Sequence, residues 1–312
     1  MSSERRAVID VGTNSVKLLV AELTPGGELI PLDEKSEQTR LGRGFYETHV
    51  LLPEAIAQTA RAVADFATRA AEWNVSSIRV LATSAARDAR NQQELLSGIE
   101  RTSGLQVEVL SGAQEADYAF RGVTSDPVFL GKPLLILDVG GGSSEFILGE
   151  GVDKVFRESY PLGSVRLLEQ LQPADPPTAL DWQRCRARIQ EQVTTLIAPA
   201  LEAGLRNYAG RPVQLVGTGG AITILARLKL ALPKFVRELI EGETLALEEI
   251  RGQRERLWNV PLDERKQIVG LPPKRADVIL MGAAIYEILM VALGFTSVRV
   301  STRGLRYGAL LK

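Results

Sequence analysis

Two stretches of the sequence, residues 9–19 and 137–147, place an aspartate, glycines and hydroxyl side chains in the same order. They align without a gap, so that Asp10 corresponds to Asp138, 128 residues further along the chain. Glycines let a chain turn tightly and leave backbone amides unobstructed, and such a turn can wrap a phosphate. A carboxylate at the end of the preceding strand can hold a divalent cation directly or through water. One such turn is typical of an ordinary hairpin tip, whereas two matching copies favour phosphate and metal binding.

The two turns supply candidate phosphate-binding residues, and a third glycine-rich stretch ahead of a predicted helix adds to them, because a helix N-terminus attracts anions. The candidates are Gly12, Thr13, Asn14 and Ser15 (the first turn), Gly140, Gly141, Gly142 and Ser143 (the second turn), and Gly217, Thr218, Gly219 and Gly220. The second turn runs from strand to strand, and the chain has no Gly-Lys-Ser/Thr ending. These features exclude a dinucleotide fingerprint and a Walker loop.

Carboxylates are the candidate acid–base groups, because the chain has a single histidine. His49 lies in a loop-like stretch and cannot alone supply a histidine–aspartate metal cluster, so we expect a surface or structural role for it. Glu145 returns into the strand after the second turn, where alternation could aim it at the phosphate site. Near the start of a predicted helix, Glu115 either complements the helix dipole or acts as a base. The residues alone favour the dipole role.

Strand and helix patterns alternate along the chain and predict an α/β fold. Strands are expected on both sides of each turn, a long helix over 53–73, and a further helical segment over 84–104. Because the turn recurs with its flanking elements, we expect two domains of related architecture. The first would contain residues 1–125 with a returning segment of about 299–312, and the second residues 126–298.

Composition narrows the class of protein. Of 312 residues, 45% are hydrophobic, and the formal net charge is −1, so no global field attracts nucleic acid or an anionic membrane. The chain has one cysteine and no apolar run near the roughly 18 residues of a membrane span. Its N-terminus also lacks the apolar core of a signal peptide. The sequence therefore predicts a cytoplasmic protein with neither nucleic acid nor membrane as partner.

Several longer stretches occur in order between residues 7 and 285: "AVIDVGTNSVKLLVAEL", "VLATSAARDARN", "VEVLSGAQEADYAFRGV", "LLILDVGGGSSEFILG", "YPLGSVRL", "LVGTGGAITILARL" and "GLPPKRADVILMGAAI". Together they resemble the exopolyphosphatase and guanosine pentaphosphate phosphohydrolase family. The resemblance implies two ribonuclease-H-like domains of the actin, sugar kinase and heat-shock ATPase superfamily, with mixed sheets flanked by helices and the active site in the cleft between the domains. The chain is similar to the short, two-domain form of the family.

The resemblance also implies roles for individual residues. Glu115 is similar to the glutamate that activates the attacking water, and Arg87 to an arginine that grips phosphate, a task suited to its planar fork of donors. Asp138 and Glu145 match acids that bind magnesium or position water, and Asp10 is the corresponding metal candidate at the first turn. The implied cofactor is Mg²⁺ or another divalent cation, and a homodimer is one assembly that the family offers.

The expected reaction is hydrolysis of the terminal phosphate of inorganic polyphosphate or of guanosine pentaphosphate, which would leave guanosine tetraphosphate. The sequence does not choose between these substrates, because both present the same terminal group. Two alternatives stay open: a phosphotransferase that uses polyphosphate and ADP, and a weakly catalytic sensor of the alarmone or of polyphosphate. Local basic residues that could hold a long phosphate chain are Lys17, Arg40, Arg43, Lys274 and Arg275.

Overall fold

The computed structural model describes residues 3–311 and divides the chain into two compact units. The first unit contains the residues up to Ser125 together with those from Leu305 onward, and the second contains Asp126–Gly304. The C-terminal segment is divided between them. Strand Ser297–Val300 buries Val298 and Val300 in the core of the second unit, whereas helix Leu305–Leu310 packs in the core of the first.

The first unit is built on a five-stranded mixed sheet of order β3-β2-β1-β4-β5. The neighbours β1–β2 and β2–β3 are antiparallel, while β4 and β5 extend the sheet in parallel with β1. The carboxyl ends of β1, β4 and β5 therefore meet at one edge. The strands are β1 (Glu4–Val11), β2 (Val16–Leu23), β3 (Leu29–Glu37), β4 (Ser77–Ala82) and β5 (Val107–Val109).

Helices flank this sheet: α1 (Phe45–Thr48), α2 (Pro53–Ala71), α3 (Ser84–Arg87), α4 (Gln92–Ser103) and α5 (Gly112–Thr124). The single helical segment expected over 84–104 is two helices, α3 and α4. Asn91 lies at the break, where its side chain pairs with the backbone of Leu51 through hydrogen bonds of 2.8 and 3.0 Å. The amide of Arg90 also donates to the carbonyl oxygen of His49 at 2.9 Å. These contacts replace the helical bonds and end α3 early.

The second unit repeats the plan of the first. Its sheet has the order β10-β11-β9-β6-β7-β8, with β6–β7 and β7–β8 antiparallel and β6, β9 and β11 parallel. Read from β8, it matches the order of the first sheet and adds β10 at the far edge. The strands are β6 (Leu134–Val139), β7 (Ser144–Glu150), β8 (Asp153–Tyr160), β9 (Gln214–Thr218), β10 (Thr244–Ala246) and β11 (Ser297–Val300).

Most of the remaining helices cover this second sheet, and α14 completes the first unit. They are α6 (Ser164–Leu171), α7 (Ala179–Gln192), α8 (Ala198–Arg206), α9 (Gly219–Lys229), α10 (Arg237–Ile240), α11 (Leu247–Trp258), α12 (Leu262–Arg265), α13 (Ile279–Leu293) and α14 (Leu305–Leu310). Helix α13 is buried along nearly its whole length in the core of the second unit. Over residues 3–311, no helix is both long and apolar enough to cross a membrane.

Candidate functional site

The first turn connects β1 and β2 and is closed by a hydrogen bond of 3.1 Å from the amide of Gly12 to the carbonyl oxygen of Ser15. The side chains of Thr13, Asn14 and Ser15 are buried despite their polarity. Gln38, from the loop after β3, donates to Oδ1 of Asn14 at 3.0 Å. The same loop donates backbone amides to the carbonyl oxygens of the turn. The turn is thus held by the loop that covers it.

Asp10 lies on β1 just before this turn, opposite Lys17 on β2. Its Oδ1 atom is buried and makes no hydrogen bond to any residue that the structure describes. Burial raises the pKa of Asp10, and the positive charges of Lys17 and Arg306 act in the opposite direction. Arg306 belongs to α14 and donates to the carbonyl oxygen of Leu18 at 2.6 Å. The charges of Lys17 and Arg306 therefore act on the Asp10 carboxylate, but the effect of burial on its pKa is larger.

Glu115 and Arg87 lie at the same edge of the first sheet, because α3 follows β4 and α5 follows β5. Nη1 of Arg87 donates to Oε2 of Glu115 and to the carbonyl oxygen of Leu110, both at 3.0 Å. Glu115 is 8% exposed. The start of its helix is fixed by Ser111 and Gln114, whose side chains each bond to the backbone amide of the other. A nearly buried carboxylate is thus held against a guanidinium at a defined position.

The contact between Glu115 and Arg87 bears on the roles predicted for both residues. Because α5 starts after Ser111, Glu115 lies in the first turn of that helix, as its predicted role beside the helix dipole requires. The ion pair with Arg87 also stabilises the charged form of Glu115. The residue predicted to grip phosphate is therefore also bonded to the predicted base. The assignment of Glu115 as the base stays a prediction.

The second turn is closed by a 2.9 Å hydrogen bond from the amide of Gly140 to the carbonyl oxygen of Ser143. All three glycine carbonyl oxygens of this turn accept hydrogen bonds from the first turn of α6. The donors are the amide of Ser164 to Gly140 at 3.0 Å, the amide of Val165 to Gly141 at 2.8 Å, and Nε of Arg166 to Gly142 at 2.7 Å. A Cβ added at Gly163 would lie 2.3 Å from the carbonyl oxygen of Gly141, so only glycine allows this contact.

The direction of these carbonyls determines where the amides point. In a trans peptide the C=O and the following N–H point in opposite directions. Since the three glycine carbonyls face α6, the N–H groups of Gly141, Gly142 and Ser143 face away from it. Within residues 3–311 these three N–H groups donate to no other atom. Successive unobstructed N–H groups of this kind form an anion-binding concavity.

A polar row crosses the second sheet beside this turn. Ladder pairing places Thr218, Asp138, Glu145 and Ser159 next to one another on β9, β6, β7 and β8. Glu145 is 1% exposed, and its Oε1 accepts hydrogen bonds of 2.8 Å from both Ser143 and Ser159. Oγ1 of Thr218 is buried and has no hydrogen-bond partner among the described residues. The sequence-based candidates missed Ser159, because only the register of β8 reveals it.

The predicted third turn is a strand that passes directly into a helix. Gly217 and Thr218 end β9, and Gly219 begins α9. A Cβ at Gly217 would lie 3.0 Å from the hydroxyl of Tyr286, so this glycine makes room for a core side chain. Gly219 has a φ of +87° and would bring a Cβ within 2.2 Å of Oδ1 of Asp138. Only the start of α9, at Gly219 and Gly220, is in a position typical of anion binding.

The carboxylates of Asp138 and Glu145 fit a divalent cation by their chemistry. Like charges directly opposite on neighbouring strands repel each other, and a cation between them would relieve that repulsion. Mg²⁺ is commonly held by one or two carboxylates, with water and substrate phosphate completing its shell. Residues 3–311 contain no group of three or more His, Cys, Asp or Glu side chains placed to hold a metal ion. Asp10 faces Lys17 and not a second carboxylate.

The other sequence candidates are scattered. Lys17 lies beside Asp10, whereas Arg40, Arg43 and Lys274 are exposed. Arg275 is half-buried, and its guanidinium nitrogens lie 3.9 Å from the position that a Cβ would take at Gly220. The ring of His49 packs edge-on against Phe45, with ring centroids 5.4 Å apart.

Comparisons with known proteins agree with this architecture. A family model described as the Ppx/GppA phosphatase family matches residues 19–312. Exopolyphosphatase 2 of Mycobacterium tuberculosis is 33% identical over 299 residues, which cover 92% of this chain and 90% of that protein. Exopolyphosphatase 1 of Mycobacterium bovis is 28% identical over 308 residues, covering 99% of this chain and 88% of that protein.

Solved structures show the same fold. The crystal structure of the Ppx/GppA family member from Aquifex aeolicus has a TM-score of 0.79 and 30% identity, covering 99% of this chain and 97% of its own. An exopolyphosphatase from Cytophaga hutchinsonii has a TM-score of 0.88 and 27% identity, covering 98% and 96%. The predicted α/β fold, with mixed sheets flanked by helices as in actin-like ATPases, is confirmed. The chain belongs to the Ppx/GppA phosphatase family.

Proposed function

We propose that this protein is a magnesium-dependent phosphohydrolase that removes the terminal phosphate of inorganic polyphosphate, of guanosine pentaphosphate, or of both. The observation that carries the proposal is the second turn, where contacts with α6 direct the N–H groups of Gly141, Gly142 and Ser143 away from the helix. Such a turn suits a phosphate and requires no nucleobase. Relatives named exopolyphosphatase support the same class of substrate.

The proposed base is Glu115. As the water oxygen forms a bond to the terminal phosphorus, the bond from phosphorus to the bridging oxygen breaks, and Glu115 accepts a proton from the water. The bridging oxygen leaves with its electron pair on the shortened phosphate chain. Arg87 keeps Glu115 charged and oriented through the 3.0 Å contact. A base must be ionised before the attack, and this ion pair supports that state.

Arg87 has a second proposed role. Its Nη1 is occupied by Leu110 and Glu115, while Nη2 makes no hydrogen bond in the part of the chain that the structure describes. Because a guanidinium presents donors in a fixed plane, the remaining nitrogen could bind a phosphate oxygen while Nη1 holds the base. Arg87 would then connect the position of the base to the presence of substrate.

The second unit supplies phosphate binding and charge neutralisation in this proposal. The N–H groups of the second turn bind non-bridging oxygens, and Asp138 and Glu145 would hold Mg²⁺. When bound, the metal neutralises negative charge on the phosphoryl oxygens. Thr218, whose Oγ1 is buried without a partner among the described residues, lies beside Asp138 and can donate to a phosphate oxygen.

The test is a steady-state comparison of kcat/KM for long polyphosphate, short polyphosphate and guanosine pentaphosphate, with magnesium and with a chelator. We expect orthophosphate release that requires magnesium. Formation of ATP from added ADP, in place of orthophosphate, would indicate a phosphotransferase. Tight binding of either ligand without turnover would indicate a sensor. If no substrate is bound and none releases phosphate, the proposal fails.

A further inference from the structure

Ser159 lies outside every motif that points to the proposed reaction, yet the fold brings it into the polar row of the second sheet. It is located on β8, directly opposite Glu145 on β7. Its hydroxyl donates to Oε1 of Glu145 at 2.8 Å. It is the fourth residue of the row that also contains Thr218 and Asp138.

Two hydroxyl donors converge on one oxygen of a carboxylate that is 1% exposed. Ser143 donates from the phosphate-binding turn, and Ser159 donates from a different strand, both at 2.8 Å. Ser143 belongs to the turn proposed to bind phosphate, so a bound phosphate oxygen would compete with Glu145 for its hydroxyl hydrogen. The strand donor is held by the β7–β8 ladder, so it provides the fixed reference for the carboxylate.

Asp138, the other neighbour of Glu145, makes a fixed hydrogen-bond donor necessary. Asp138 occupies the facing position on β6, and two adjacent carboxylates repel each other. The hydroxyl of Ser159 holds Oε1 of Glu145 on the side away from Asp138 and so fixes the orientation of the whole carboxylate. Loss of this contact would relax that orientation, and with it the arrangement of the oxygen atoms that a cation has to bind together.

We infer that Ser159 is a positioning residue that holds the Glu145 carboxylate in register with Asp138 for divalent cation binding. The inference rests on the proposed function for its consequence in turnover, but its primary consequence is in metal affinity. Partners that orient a metal-binding group typically change metal affinity or activity by 10- to 100-fold when they are removed. We therefore expect Ser159→Ala to weaken Mg²⁺ or Mn²⁺ binding by about tenfold.

Three variants separate positioning from a structural role. Ser159→Ala removes the donor, and Ser159→Thr keeps the hydroxyl and should restore metal affinity. Ser36→Ala is the matched control, because Ser36 holds the corresponding place in the first sheet but lies opposite Lys17, and not opposite a carboxylate. Metal binding is measured by titration calorimetry and by the Mn²⁺ electron paramagnetic resonance signal, and folding by the thermal midpoint.

The expected result is a tenfold weaker metal affinity in Ser159→Ala, a kcat that recovers at high magnesium, and near wild-type behaviour in the other two variants. The inference is overturned if Ser159→Ala binds metal as tightly as the wild type, or if the wild type binds no divalent cation. Phosphate release by the wild type tests the proposed function separately. Weaker metal binding in Ser159→Ala with no phosphate release from the wild type would support the inference and reject the proposed function.

Discussion

The two turns share one backbone plan but have different charges beside them. In the first unit, Asp10 faces Lys17 and is also close to the charge of Arg306. In the second unit, Asp138 faces Glu145 at the corresponding ladder position. At matching positions the first unit thus pairs its aspartate with a lysine, whereas the second unit pairs its aspartate with a glutamate. Both units share the turn, and we propose that the side chain facing the aspartate determines which of the two turns binds a cation.

The turns also differ in what holds them. A loop covers the first turn, with Gln38 bonded to Asn14. The start of α6 contacts the second turn through three glycine carbonyls. Both sets of contacts include backbone hydrogen bonds, but a loop adjusts to substitutions more readily than the start of a helix. We therefore expect the second turn to be the more rigid binding element.

The largest expected effect tests which unit supplies the base. Glu115→Gln keeps the size of the side chain but cannot accept a proton, so kcat should fall by about 100-fold or more. Substrate binding, measured by equilibrium titration, should stay within about threefold of the wild type. Glu108→Gln is the matched control, because Glu108 pairs with Arg79 on neighbouring β4 and is not among the proposed catalytic groups. Near-normal turnover by Glu115→Gln would remove the base from the proposed mechanism.

The next effect addresses the difference in charge directly. Asp138→Asn removes one of two facing carboxylates and should raise the magnesium concentration for half-maximal activity by at least about tenfold. Asp10→Asn should raise it less, because Asp10 faces Lys17 and not a second carboxylate. Magnesium titrations of both variants measure this. Equal effects would show that the first turn also depends on a metal.

Much of this contrast could be predicted from sequence, and the remainder depends on pairing between distant segments. The aligned stretches predicted two related units and both aspartates, since glycines, hydroxyls and acids keep their order along the chain. Ser159 and Arg306 were not predicted, because ladder register brings the first to Glu145 and the return of the C-terminal helix brings the second near Asp10. The third glycine-rich stretch was predicted as a turn ahead of a helix, but Gly217 lies within β9 and packs against Tyr286.

Backbone rigidity is tested by matched glycine substitutions. In Gly163→Ala the new methyl group would lie 2.3 Å from the carbonyl oxygen of Gly141, so the backbone of the second turn must shift. In Gly42→Ala it would lie 2.4 Å from Cγ2 of Thr13, the end of a side chain. Overpacking against backbone should cost about 2 kcal/mol of unfolding free energy for Gly163→Ala and lower kcat/KM, with a smaller loss for Gly42→Ala. Denaturant unfolding and phosphate-release assays measure both, and equal losses would contradict the proposed difference in rigidity.

The smallest expected effect is measured at Cys185, the only cysteine of the chain, whose labelling reports on opening of the second unit alone. Burial raises the pKa of Cys185 to about 12, although the charge of Arg254 acts in the opposite direction, so the thiol is protonated at pH 8. A thiolate is the reactive form, and reaction with an aromatic disulfide reagent should therefore require opening of the second unit. Because the folded pKa is raised from 9.0, this group stabilises the fold below pH 9, and the contribution is lost as pH rises towards about 12.

Gly163→Ala should increase the labelling rate at pH 8, whereas Gly42→Ala, in the other unit, should leave it unchanged. Equal acceleration by both would show that the two units open together, and would remove the basis for treating their turns as independently supported.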